Sequence, residues 1–141
     1  GKYTVQVATF RGKVVYDIEK GYDKDAKVSN ALVKAAENAH LLVTALRKQN
    51  IEAYEFHDRN ESIVTVGSFD RVGVRQLDGK FQFDPIVYKI MSIYKAQRVP
   101  INNSSQSSFR PRALNGVPFD IQPRPAFVPK RSIGSSFLSR F

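Results

Sequence analysis

The chain has 141 residues, of which 42% are hydrophobic, enough for one folded domain with or without an appendage. It contains no cysteine, so disulfides, thiolate metal sites and cysteine nucleophiles are excluded. No apolar run approaches the ~18 residues of a membrane helix, so no membrane-spanning segment is expected. The net charge of +9 predicts an anionic partner or a solubilising surface. Because the chain begins at Gly1 rather than Met, we interpret it as a processed form or a fragment.

Two nearly identical stretches, YTVQVATF from Tyr3 and IVTVGSF from Ile63, predict two β-strands. Apolar and polar residues alternate in both, which is typical of a strand with one buried face. We therefore predict strands over 3–10 and 62–69, and a further strand over 51–57. Helices should cover the valines of the repeated strands, which are Val5, Val7, Val64 and Val66.

Two helices are predicted, over 29–50 and 84–97. Ser29 or Asn30 is suited to cap the first helix, and the pair Asp84-Pro85 is a strong signal for the start of the second. The charged segment 13–27 is interpreted as a surface loop. In the first helix the predicted buried stripe consists of Leu32, Ala36, Ala39, Val43 and Leu46. In the second helix it consists of Ile86, Ile90 and Ile93.

The chain changes character near residue 100. From Arg98 onward there are seven basic residues and one acidic residue, and six of the seven prolines lie in 100–141. We divide the chain into a domain over 1–99 and a basic, Pro/Ser-rich arm over 100–141, whose fourth, edge strand lies within 117–128. The arm is predicted to bind a protein partner or a second copy, and its phenylalanines are expected in pockets of the domain itself or, for the last ten residues, on another molecule. They are Phe119, Phe127, Phe137 and Phe141.

The order of elements predicts the fold class. Strand, helix, strand, strand, helix, strand is the split βαβ arrangement, an α+β fold with a four-stranded antiparallel sheet and both helices on one face. The first and third strands should lie at the centre. The other face should be open and present Thr4, Gln6, Ile63 and Thr65, joined by Tyr54 and Phe56. Such a surface of rings, amides and hydroxyls suits an extended polymer.

Three stretches of the sequence resemble a known family. YTVQVATF, AENAHLLVTALRKQNIEAYEF and SIVTVGSF resemble the SPOR domain, a bacterial peptidoglycan-binding module, over about residues 3–97. The resemblance implies a SPOR-like fold and non-enzymatic binding of glycan strands without stem peptides, in the bacterial cell envelope (periplasm or exported). In the family the first-strand Gln and a following Ser help to form the site, and these correspond to Gln6 and Thr9. The family often has an aromatic and a basic residue just before the third strand, where this chain has Glu61 and Ile63.

The resemblance and the sheet pattern together give a set of expected glycan contacts. The set consists of Thr4, Gln6, Thr9, Tyr54, Ile63 and Thr65. Peptidoglycan strands carry a lactyl carboxylate on alternate sugars, and arginines near the sheet are suited to meet them. Those arginines are Arg11, Arg59, Arg71 and Arg75.

Other functions are open at this stage. The chain is also suited to be a structural subunit of an envelope or extracellular assembly held together by its arm. An RNA-recognition fold has the same topology, but its third strand needs aromatic rings where this chain has Ile63, Thr65 and Gly67. Nucleic acid is therefore not an expected partner. His40 and His57 are the only histidines, and we expect no catalytic site, cofactor or metal.

Overall fold

A computed structural model describes residues 1–12, 23–103 and 105–129, with the backbone alone over 23–29. There are two helices, α1 (Asp23–Lys48) and α2 (Pro85–Tyr94), and neither has the length and apolarity needed to cross a membrane. The strands are β1 (Tyr3–Arg11), β2 (Ala53–His57), β3 (Glu61–Phe69), β4 (Gly73–Arg75), β5 (Phe81–Phe83), β6 (Gln97–Pro100), β7 (Ser107–Arg110), β8 (Ala113–Leu114), β9 (Val117–Pro118) and β10 (Arg124–Phe127).

Four strands form the main sheet, in the order β10-β1-β3-β2 and with every neighbouring pair antiparallel. The remaining strands form three two-stranded ribbons, β4–β5, β6–β7 and β8–β9. The described chain is therefore α+β, and the prediction of a four-stranded antiparallel sheet with the repeated strands at its centre is confirmed. The fourth strand, β10, lies within the predicted window, and its edge position accommodates Pro125.

One hydrophobic core joins the sheet to both helices. Val5, Val7, Val64 and Val66 are all buried, as predicted. The same cluster contains residues of α1 and α2, among them Ala39, Leu42, Val43, Leu46 and Val87. Burial of such side chains stabilises the fold by roughly 1.5–3 kcal/mol each.

The first helix is longer than predicted at its N-terminus. It begins at Asp23, so Ser29 and Asn30 lie inside it rather than at its cap. Helix-forming lysines and alanine precede Ser29, and acidic residues in a first turn interact favourably with the helix dipole. The end is close to the predicted one, because Asn50 adopts a left-handed φ of 61°. The predicted loop over 13–27 is thus wrong for 23–27, and its first part lies outside the described residues.

The second helix differs from the prediction in both its end and its buried face. It stops at Tyr94, and Gln97 already begins β6. Val87 and Tyr94 face the core and Ile90 packs against it, whereas Ile86 is 64% and Ile93 46% exposed, so the predicted isoleucine stripe is wrong at these two positions. The sequence PIVYKIMSIY is apolar on nearly every side, and the spacing of its isoleucines therefore does not define the buried face.

A bulge in β3 explains the Val-Gly-Ser-Phe sequence of the repeat. Between the pairs Val5↔Val66 and Tyr3↔Phe69, β3 has one residue more than β1. Gly67 lies in this bulge with a φ of +78°, and a Cβ there would lie 2.5 Å from the ring of Phe69. The Thr4 hydroxyl donates a hydrogen bond of 2.7 Å to the Gly67 carbonyl, which stabilises the bulge from the neighbouring strand.

We predict that Gly67→Ala lowers the free energy of unfolding by about 2–4 kcal/mol, since it combines backbone strain with a clash against Phe69. Urea denaturation measures this loss. Gly79→Ala is the matched control, because Gly79 also has a positive φ (+84°) but has no atom within 4 Å of the added Cβ. Equal losses in the two variants would show that Gly67 is required for its backbone conformation alone.

Candidate functional site

The strand register brings several of the expected glycan contacts together on one face of the sheet. Gln6 and Tyr54 both lie opposite Thr65, and Thr9 lies opposite Ile63. The face is not open, however, because Thr4, Gln6 and Thr65 are buried. The expectation of exposure is therefore wrong at these three positions, whose role in binding stays a prediction.

Two observations account for the burial. The Thr4 hydroxyl is directed to the carbonyl groups of β3 rather than to solvent. The chain that follows β10 is bonded to β1 through the Val128 amide and the Lys2 carbonyl at 2.8 Å, and its residues Val128 and Pro129 line one pocket with Thr4 and Thr65. What remains accessible is a pocket between that segment and β2.

This sheet-face pocket has a volume of about 240 Å³. Residues of β1, β2 and β3 line it together with the segment after β10. They are Gly1, Thr4, Tyr54, Phe56, Thr65, Gly67, Ser68, Val128 and Pro129. None of these side chains is charged at neutral pH, and the amino group of Gly1 donates to Ser68 Oγ at 2.6 Å.

Thr65 contributes the most informative polar atom of the pocket. Its side chain is 0% exposed, and among the described residues its Oγ1 has no hydrogen-bond partner. A buried hydroxyl without a partner costs roughly 1–3 kcal/mol. A ligand in the pocket that donates to this oxygen, or accepts from it, would recover that cost.

Tyr54 is held in place at the edge of the sheet. Its hydroxyl donates to the Glu52 carboxylate, and this hydrogen bond raises the pKa of Tyr54, so the phenol keeps its proton at neutral pH. The Arg47 guanidinium lies 6.0 Å from the ring centroid and donates through Nε to the Ala53 carbonyl at 2.9 Å. The aromatic wall of the pocket is thus oriented before any ligand binds.

Gln6 and Thr9, the pair that corresponds to the family's site residues, contact each other and a residue that sequence reasoning missed. Gln6 Nε2 donates to Thr9 Oγ1 at 2.7 Å, and Thr9 Oγ1 donates to Asp120 Oδ2 at 2.8 Å. The Thr9 amide donates to Asp120 Oδ1 at 2.9 Å. The carboxylate of Asp120 therefore receives two hydrogen bonds from one residue of β1.

Asp120 also extends the pairing of the sheet edge. The β1–β10 register ends at Gln6↔Arg124, and one residue farther along β1 the Asp120 amide donates to the Val7 carbonyl at 2.8 Å. The only sequence signal for this role is that Asp120 is the sole acidic residue after Arg98. The segment before β10 is thereby fixed to β1.

The phenylalanines expected to anchor a partner have different environments. Phe119 belongs to the core of the domain itself, with its ring centroid 5.0 Å from that of Tyr94. Phe127 is 71% exposed and lies 5.0 Å from the ring of Tyr3. Phe137 and Phe141 lie outside the described residues. An assembly role for the arm stays a prediction.

The arginines expected to meet carboxylates of a glycan have partners within the domain, with one exception among the four. Arg11 Nε lies 3.4 Å from Glu61 Oε2, and Arg71 Nε lies 3.4 Å from Asp84 Oδ2. Arg75 donates to the Gly79 carbonyl at 3.2 Å, while Arg59 is exposed. Exposed pairs of this kind contribute little to stability, so the arginines stay accessible to an anion.

The two histidines lie on either side of Glu55. His40 Nδ1 is 2.8 Å from Glu55 Oε1, and His57 Nε2 is 3.2 Å from Glu55 Oε2. His57 Nδ1 lies 2.6 Å from Ser62 Oγ. Because both carboxylate oxygens are already bonded to imidazoles, this cluster is not arranged as a metal site, and the described residues contain no other group of three or more suitable ligands.

Comparisons of the chain with protein-family models, with curated proteins and with solved structures found no match. The resemblance to the SPOR domain therefore stays a prediction from the sequence. The functional argument depends on the geometry of the sheet-face pocket and of the residues that hold it.

We predict that Asp120→Ala lowers the free energy of unfolding by about 2–4 kcal/mol, because the Thr9 amide and hydroxyl lose their charged acceptor. Amide hydrogen exchange over 124–127 should also accelerate, since Asp120 fixes the segment that precedes β10. Asp70→Ala removes an exposed carboxylate and is the matched control. Protection of β10 that is equal in the two variants would contradict the role given to Asp120.

Proposed function

We propose that the chain is a non-enzymatic module that binds glycan strands of bacterial peptidoglycan in the cell envelope. The observation that carries the proposal is the sheet-face pocket, where the aromatic residues Tyr54 and Phe56 meet the buried, unpaired hydroxyl of Thr65. The resemblance of the repeated strands to the SPOR domain gives the ligand class.

The chemistry of the pocket suits a sugar. The apolar C–H face of a pyranose packs on aromatic rings, and its hydroxyl and acetamido groups can both donate and accept hydrogen bonds. Thr65 offers one such partner at the bottom of the pocket. A volume of about 240 Å³ is smaller than the ~300–1,000 Å³ of pockets for drug-sized ligands, so we infer that one sugar of the strand enters it.

The fold supports the same proposal at a coarser level. The strand order β10-β1-β3-β2, with the helices joined to the sheet in one core, fits the split βαβ, ferredoxin-like arrangement that the SPOR resemblance implies. A fold of this kind hosts many functions, however, and the residues of the site carry the argument.

The proposal gives the residues of this face three different roles. Tyr54 and Thr65 line the pocket and contact the ligand, as does Phe56, which lies opposite Ile63 in the register. Gln6 and Thr9 act as positioning residues instead, because their side chains bond to each other and to Asp120. Thr4 supports the bulge at Gly67.

We predict that Thr65→Val weakens glycan binding while it stabilises the fold. The substitution keeps the shape of the side chain and removes a buried hydroxyl without a partner, so the free energy of unfolding should rise by about 1 kcal/mol. Binding should fall because the ligand loses its hydrogen bond at the bottom of the pocket. The measurements are urea denaturation and co-sedimentation with amidase-treated sacculi, whose glycan strands lack stem peptides.

The variant Tyr54→Ser/Phe56→Ser tests the aromatic wall in the same assay. We predict a loss of binding of about tenfold or more, since aromatic contacts in a pocket are worth on the order of 1–3 kcal/mol. Tyr88→Ser is the matched control, because Tyr88 is an exposed tyrosine on α2, outside the pocket. Wild-type binding by both the Thr65 and the aromatic variants, or equal binding of the native chain to untreated sacculi, would contradict the proposal.

A further inference from the structure

A second concave surface lies between the end of α2, the β6–β7 ribbon and the segment that carries Ile121. This basic groove has a volume of about 480 Å³. Its lining residues are Lys95, Ala96, Arg98, Phe109, Ile121 and Gln122. It shares no lining residue with the sheet-face pocket.

The rim of the basic groove is cationic and has no carboxylate partner. From Lys95 to Arg112 the sequence contains four basic residues and no acidic residue. Arg112 Nε donates to the Lys95 carbonyl at 3.0 Å, which places a third cation beside Lys95 and Arg98. The ion pairs within the described chain involve other residues. The rim therefore carries positive charge that no carboxylate of the described residues neutralises.

The floor of the groove is apolar. Phe109 and Ile121 are each 54% exposed. Ala96, which is buried, lines the groove together with them. Exposed apolar side chains that converge in one concavity are typical of a binding site rather than of an ordinary surface. Arg98 lies over the Phe109 ring, with Cζ 5.7 Å from the centroid, so charge and apolar surface are directly adjacent.

The two chain segments that form the groove are hydrogen-bonded to each other. The Ala96 amide donates to the Ile121 carbonyl at 2.9 Å, and beneath this contact the rings of Tyr94 and Phe119 pack at 5.0 Å. The Phe119 amide in turn donates to the Arg112 carbonyl at 2.7 Å. A groove held in this way is formed before a partner arrives, which lowers the conformational cost of binding.

We propose that the basic groove binds an acidic peptide segment of a partner protein, with one apolar side chain of that segment on the floor and its carboxylates at the rim. Charge complementarity selects an anionic partner, and the apolar floor selects one with a hydrophobic side chain. Arg98 lies over one face of the Phe109 ring, so a base that stacked on that face would have to displace it.

The test is fluorescence anisotropy of the whole chain with a labelled peptide in which one leucine is flanked by three glutamates on each side. We expect Arg98→Glu to weaken binding by about tenfold or more, because it reverses a charge at the rim. Ile121→Ser should weaken binding by about fivefold through loss of apolar contact. Lys34→Glu and Leu77→Ser are matched controls on exposed residues outside the groove, and both should bind like the unaltered chain.

Three further probes separate the alternatives. The same peptide with serine in place of leucine should bind more weakly, and a peptide with lysine in place of glutamate should not bind. Equal affinity for the leucine and serine peptides would overturn the proposal, because it would show attraction by charge alone. Tighter binding of a labelled oligothymidine or of vesicles with anionic lipid than of the acidic peptide would overturn it as well, as would unchanged binding by Arg98→Glu.

Discussion

The contact between Asp120 and the bulged part of β1 is the interaction on which the rest of the structure depends. The Asp120 amide donates to the Val7 carbonyl, and the Asp120 carboxylate accepts from Thr9, which lies 111 residues earlier in the chain. Charged acceptors of this kind contribute about twice as much as neutral ones. The contact fixes the segment that supplies Phe119 to the core, and then β10 to the edge of the sheet. Both concave surfaces contain residues from the same segment, Ile121 in one and Val128 in the other.

Local patterns predicted the centre of this domain well. The periodicities of β1, β3 and α1 correctly predicted that the four valines of the repeat and Ala39, Val43 and Leu46 would be buried, whereas Leu32 and Ala36 are only partly buried. They failed in α2, because apolar residues lie on almost every side of this helix. Only the packing of Val87 in the core shows which face is buried. They also could not show that Thr4 and Gln6 would be buried, because the covering segment is more than a hundred residues away. Asp120 was missed as the partner of Thr9 for the same reason, since a long-range hydrogen bond leaves no periodic signal in the sequence.

The two copies of the repeated strand have diverged in how they bend. β3 has its extra residue at Gly67, because a glycine can adopt the left-handed φ that the bulge requires. The Thr4 hydroxyl supports that bulge. β1 has its extra residue at Val7, where Asp120 rather than a side chain of the neighbouring strand satisfies the backbone. The bulge in β3 therefore depends on contacts within the repeat, whereas the bulge in β1 depends on the C-terminal part of the chain.

This difference bears on how the positive charge of the chain is used. The sheet-face pocket has no charged side chain, so recognition there must come from shape, ring contact and the Thr65 hydroxyl. Arg11 and Arg71, which border the sheet, already have carboxylate neighbours. Lys95 and Arg98, which have no carboxylate neighbour among the described residues, lie instead at the basic groove formed with the help of the C-terminal segment. A pocket without charged side chains and a cationic groove select partners of different chemistry, because long-range attraction of an anion to the groove does not require charged side chains in the pocket.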